Sequence, residues 1–366
     1  MFGHQHYVPI LKWRQGEYQA LFRLTPSVKS WITPLFEIPT EGWDFENEEP
    51  LKTLDEHLGK FGDRLKAKWG DPVCFVDSCY LDGDAVVASG VHHLEHIFNL
   101  ARAAGTSPIP VTGLGRHPDY NAAVQAIVKV DARGACLRLS ADDFDANLGA
   151  NIDAIVAQIG VAIRECDLVI DLAETVSQSD GATALVWLAL MQQLPYINDW
   201  RTLTIAGTAF PASLSSSKYR PSGTAPRFEW TGYKALLPKL PKGSRVPTFG
   251  DYAASHPRTE LLDPRMLDPN AKIKYTTDDQ WFIVLGTQVK RNGRGQYQGL
   301  CQTIVNTRPN IFMGAGYSWG DGYIDGCAKG TQSTGGTSTW PSVATNHHLT
   351  KVVRDVATLF GASALP

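Results

Sequence analysis

Tyr7-Val8-Pro9-Ile10-Leu11, running straight into Lys12-Trp13-Arg14-Gln15-Gly16, decides the fold class. The first part is a short apolar run of strand type, and the second is the turn into an amphipathic segment. A dinucleotide-binding sheet places G-x-G-x-x-G in that turn, where backbone must approach a pyrophosphate. Here the turn carries one glycine, at its end. An open doubly wound sheet is set aside.

Downstream the same unit returns. Apolar runs open near residues 7, 34, 73, 109, 135, 167, 202 and 246. Helical spacing is expected between them, over about 16–32, 48–69, 89–104, 119–131, 148–164, 180–194 and 228–238. Strands alternating with helices predict a parallel sheet. Eight such units in about 250 residues match an α/β fold of the (β/α)8 TIM-like barrel type. After Asp251 the rhythm breaks into a β-hairpin over 272–286, a basic turn at 290–295, a helix near 297–307 and a Gly-rich stretch at 314–336. A closing helix from about Pro341 to Phe360 supplies the last barrel helix. The expectation is a barrel of residues 1–251 and 340–366 with a long insertion between the last strand and last helix. That insertion, residues 252–339, is expected to cap the mouth as a lid, because βα loops build the C-terminal face of such barrels.

Composition narrows the function. Lys and Arg number 34 against 37 Asp and Glu, a net charge of −3 in 366 residues. General nucleic-acid binding, which needs a basic surface, is disfavoured. No apolar run is long enough for a membrane span. Six cysteines without a C-x-x-C pair point away from a zinc ribbon and towards reduced thiols. The opening Met1-Phe2-Gly3-His4-Gln5-His6 has no basic, apolar leader pattern, so a cytoplasmic location is expected.

Three stretches share one resemblance. Tyr7 to Leu21 with Ile32-Thr33-Pro34-Leu35-Phe36-Glu37-Ile38-Pro39 is similar to the start of the phage and bacterial beta protein family. Phe249-Gly250-Asp251-Tyr252 with Ile273-Lys274-Tyr275-Thr276 resembles its second signature. Gly320-Asp321-Gly322-Tyr323-Ile324 with Trp340, His347 and His348 resembles its third. The resemblance implies a cytoplasmic protein of phage–host conflict, an anti-phage defence component, with no established reaction.

Chemistry is expected where barrel strands end at the C-terminal mouth. The strand ends offer Lys12, Glu37, Asp77, Arg138, Asp171, Thr208 and Asp251, with only Thr112 on the fourth. Glu37, Asp77, Asp171 and Asp251, with His348 from the closing helix, are the catalytic candidates. Lys12, Arg138, Tyr252, Trp340 and His347 are the ligand-binding candidates. Two strand-end cations cannot neutralise four carboxylates, so a bound cation or a raised pKa is expected. Mg²⁺ on Glu37, Asp77 and Asp171 is one reading. A metal-free general base beside an anion held by Lys12 and Arg138 is another, and a glycosidase pair a third. The partner is then a small-molecule or nucleotide-like ligand, and an enzyme would be of hydrolase, lyase or phosphodiesterase type. The other reading is a catalytically inert sensor or protein-binding partner in a defence system. Ser215, Ser216 and Lys218 are second-rank phosphate candidates, and His92, His93 and His96 are expected at the surface.

Overall fold

The computed structural model describes residues 2–174, 179–214, 217–258, 268–307 and 309–362. Eight strands close a parallel barrel: β1 (Tyr7–Lys12), β2 (Leu35–Glu37), β3 (Phe75–Asp77), β4 (Ile109–Thr112), β5 (Ala135–Leu139), β6 (Cys166–Glu174), β7 (Thr202–Thr208) and β8 (Thr248–Asp251). Each strand pairs with its sequence neighbours, and β1 closes the ring on β8 with Tyr7 opposite Phe249.

Alternation explains the two cores. Leu11, Phe36, Val76, Leu137, Leu168, Ile170 and Ile205 point outward and pack under the helices. Their neighbours Ile10, Leu35, Phe75, Val111, Cys136, Val169 and Ala206 point inward and fill the barrel with Tyr252. Phe2 packs against that inner set, and Thr248 Oγ1 donates to Gly3 O, so the N-terminal segment stops the lower end.

Local signals correct several expected helices. The segment 16–32 is two helices, Gln15–Phe22 and Pro26–Lys29, because Thr25 caps a second start with Pro26 at its first position. The expected helix 48–69 begins only at Leu54, where Thr53 and Glu56 form a capping box, and breaks again before Phe61–Lys68. Residues Trp43–Asp44 and Glu49–Pro50 form a small hairpin instead.

After β8 the chain builds a three-stranded antiparallel sheet from Asn270–Thr276, Gln280–Gln288 and, from the loop after β7, Ser222–Pro226. Within the Gly-rich stretch lies an unexpected helix, Trp319–Ala328, capped by Ser318. Its glycines serve close approach: a Cβ on Gly320 would sit 2.4 Å from Val343 O of the closing helix. That closing helix, Thr339–Leu359, straddles two cores. Trp340 and Val343 belong to the insertion, while Leu349, Val352 and Val356 belong to the barrel. No described helix is long and apolar enough to cross a membrane.

Candidate functional site at the barrel mouth

The mouth is organised by one arginine. Arg138 lies between Leu137 and Leu139, which face the outer helices, so its own side chain turns inward. There it collects the ends of three other strands. Its Nη2 donates to Glu37 Oε1 at 2.8 Å and to Asp171 Oδ2 at 2.6 Å, and its Nη1 to Asp77 Oδ2 at 2.8 Å. Tyr252 adds a hydroxyl donated to Asp171 Oδ2 at 2.6 Å. Arg116, four residues past β4, donates Nη2 to Asp77 Oδ1 at 3.0 Å and Oδ2 at 2.9 Å. Burial alone would raise the Asp77 pKa, but Arg116 and Arg138 hold it below the usual carboxylate range.

The charges balance. Glu37, Asp77 and Asp171 face Arg138, Arg116 and Lys12, and Asp251 is drawn elsewhere. The expected deficit of cations is thus corrected: Arg116 was missing from it, because it sits in a loop rather than on a strand. Buried carboxylates bonded to guanidinium groups need no added cation. Among the described residues no three His, Cys, Asp or Glu side chains are disposed to hold a metal ion. The donor set fits arginine and not Mg²⁺.

Over the strand ends lies the segment Ala254–Pro257, held residue by residue. Lys274 Nζ donates to Ala254 O at 2.6 Å. Ser255 Oγ donates to Glu17 Oε1 at 2.7 Å. Lys12 Nζ donates to His256 O at 2.6 Å and Pro257 O at 2.9 Å. The Tyr80 hydroxyl lies 3.1 Å from both Pro257 O and Glu37 Oε2. Burial pushes the Glu17 carboxyl up to about 7 and brings the Lys274 ammonium down to about 7.

A second buried assembly ties this mouth to the insertion. Asp251 accepts from the Tyr7 hydroxyl, from Ala253 N at 2.8 Å and from His348 Nε2 at 2.9 Å. The other nitrogen of His348 meets Thr276 Oγ1 at 2.9 Å, and its ring stacks on Trp281. His347 reaches Asp321 Oδ2 through Nδ1 and Thr276 O through Nε2, both at 2.8 Å, and stacks on Tyr275. Adjacent histidines thus point to different acids and share Thr276.

A model of the family described as Beta protein matches residues 7–354. The chain belongs to the beta protein family. No curated protein matches it. Among solved structures it is similar to mutant tryptophan synthase α-subunits from the hyperthermophile Pyrococcus furiosus. One is 11% identical over 57% of this chain and 89% of that chain, with a TM-score of 0.27. Another is 12% identical over 69% and 89%, with a TM-score of 0.26.

In this beta-family protein Glu37, Asp77, Arg138, Asp171 and Tyr252 form one network, with Lys12 at its edge. Asp251 and His348 form a separate pair, His347 pairs with Asp321, and Trp340 stacks on Tyr297 inside the insertion core. Arg116, Tyr80, Glu17 and Lys274 were not anticipated. A search for a second cation within a few residues of each strand end would have found Arg116. Ser215 and Ser216 lie outside the described residues. The surface expectation for His92 and His93 is corrected: both are buried, His92 capping the helix His93–Ala103 and His93 bonded to Ser78 Oγ at 3.0 Å.

Proposed function

We propose that this beta-family protein is a non-catalytic binding component of phage–host conflict, acting in the cytoplasm as a sensor or as the partner of another defence protein. The setting is supported by family membership. The absence of a reaction is supported by one observation: Arg138 ties Glu37, Asp77 and Asp171 together, so the strand-end acids serve one another and the fold. A general base must be within reach of a substrate proton, and these oxygens already accept guanidinium hydrogens. On this reading the mouth is a keystone, and the hydrolase, lyase or phosphodiesterase reading gives way.

The test is phage plating on a host expressing wild-type, Asp171→Asn or Glu37→Gln protein, with melting temperature measured on each purified variant. The wild type should lower plating efficiency, and each variant should lose protection only as far as it loses folded protein. A variant with an undiminished melting temperature and no protection would overturn the non-catalytic reading. Equal plating with and without the wild type would remove the defence setting.

A further inference from the structure

Among the described residues the mouth is filled by its own side chains, and a concavity opens at the other end of the barrel. A cleft of about 490 Å³ is lined by residues that precede or open strands, among them Phe2, His6, Thr33, Arg133, Asp167 and Arg201. These mark the N-terminal face. Its volume lies in the range of small-molecule sites.

The charge of this cleft is one-sided. Lys29, Arg133 and Arg201 line it against a single acid, Asp167. That acid is spent: Arg201 donates to both its oxygens, at 3.1 and 2.6 Å, and Thr202 Oγ1 donates to Oδ1 at 2.7 Å. Lys29 donates to Trp69 O at 2.7 Å, which leaves its charge without an acid. The Arg133 guanidinium makes no hydrogen bond or ion pair with any described residue. Beside these cations Phe2 stacks on His6, ring centroids 4.5 Å apart and planes 19° apart. Burial brings His6 down to about 4, so this ring is neutral at physiological pH.

We infer that the N-terminal cleft binds a small phosphorylated ring compound of nucleoside-monophosphate type. Arg133 and Lys29 take the phosphate, and the Phe2–His6 pair takes the base. A guanidinium with unfilled donors is suited to phosphate oxygens. An aromatic face accepts any base by stacking. The site goes beyond the binding role proposed above and does not depend on it, because it is read on purified protein whatever the phage assay returns.

The probes are adenosine 5′-monophosphate, adenosine and inorganic phosphate, titrated by calorimetry and by amide NMR. The monophosphate should bind saturably and more tightly than either fragment, with shifts centred on residues 2–6, 29–33 and 133. Arg133→Glu should weaken the monophosphate by at least about tenfold at a nearly unchanged melting temperature, since no hydrogen bond or ion pair of the fold is lost. Phe2→Ala should weaken adenosine while leaving phosphate unchanged. Phosphate binding alone, insensitive to Phe2→Ala with no gain from the base, would reduce the site to an anion site and overturn the assignment of ligand class. No saturable binding of any probe, or an Arg133→Glu affinity equal to wild type, would overturn the site itself.

Discussion

Arg138 and Asp171 meet through two hydrogen bonds on a single oxygen, Nε at 2.9 Å and Nη2 at 2.6 Å from Asp171 Oδ2. The contact joins neighbouring strands at the mouth, and the same guanidinium reaches Glu37 and Asp77. Removing the arginine leaves the buried Glu37 and Asp171 without a guanidinium partner, while Asp77 keeps Arg116. Breaking a buried pair from one side costs about 3–5 kcal/mol. Arg138→Met should therefore lower stability by about that amount, read from the midpoint of urea unfolding. A loss well below 1 kcal/mol would mean that the acids find other partners.

Gly320 and Gly299 offer a paired test of helix contacts. A Cβ on Gly320 meets Val343 O at 2.4 Å, whereas one on Gly299 meets nothing within 4 Å. Gly320→Ala should destabilise by about 1–3 kcal/mol through overpacking. Gly299→Ala, in the helix Tyr297–Asn306, should stabilise by about 0.5–1 kcal/mol. Thermal unfolding of the two variants should move in opposite directions.

Hydrogen-bond partners assign the proton of His348. Both nitrogens of the adjacent His347 face acceptors, a carboxylate and a carbonyl. His348 donates from Nε2 to Asp251 and receives the Thr276 hydroxyl at Nδ1, so it is the neutral Nε2–H form. Burial keeps the His348 pKa low, although Asp251 opposes this. Nitrogen-15 spectra at neutral pH should show His348 as a neutral ring with its proton on Nε2. A proton on Nδ1 would contradict the geometry.

Glu17 makes stability depend on pH in a set direction. Burial raises its folded pKa from 4.5 to about 7. The fold therefore holds this proton more tightly than the unfolded chain does. Its contribution is whole below pH 4.5 and is lost as pH rises through 7. A shift of that size is worth on the order of 3 kcal/mol. Glu17→Gln, which can still accept from Ser255, should gain stability over wild type at pH 8 and little at pH 4. Urea unfolding at both values decides it, and an equal difference at the two would refute the assignment.

Most of the barrel is legible in the sequence because an inward–outward alternation repeats strand by strand. Strand ends also reveal Glu37, Asp77, Arg138 and Asp171, since strands in a parallel barrel all end at one mouth. The rest depends on contacts distant in sequence. Ser222–Pro226 is too short to show a period, and its partner strand lies more than fifty residues on. The helix Trp319–Ala328 is masked by its glycines, of which Gly320 is required by the Val343 contact. Arg116 and Tyr80 sit in loops, where no periodicity says which way a side chain points.

The closing helix also sets an order of events. Its histidines bond to Asp251 at the end of β8 and to Asp321 and Thr276 of the insertion, while Asn346 donates to Ala20 O of the first helix. β1, made first during synthesis, waits for β8 before its second edge is paired. Such long-range closure slows folding. Neither the barrel nor the insertion can reach its final packing on the ribosome until residues near 350 have emerged, and the sheet keeps an open edge until β8 has emerged. Truncations upstream of Thr339 should therefore yield aggregation-prone chains rather than a smaller folded protein.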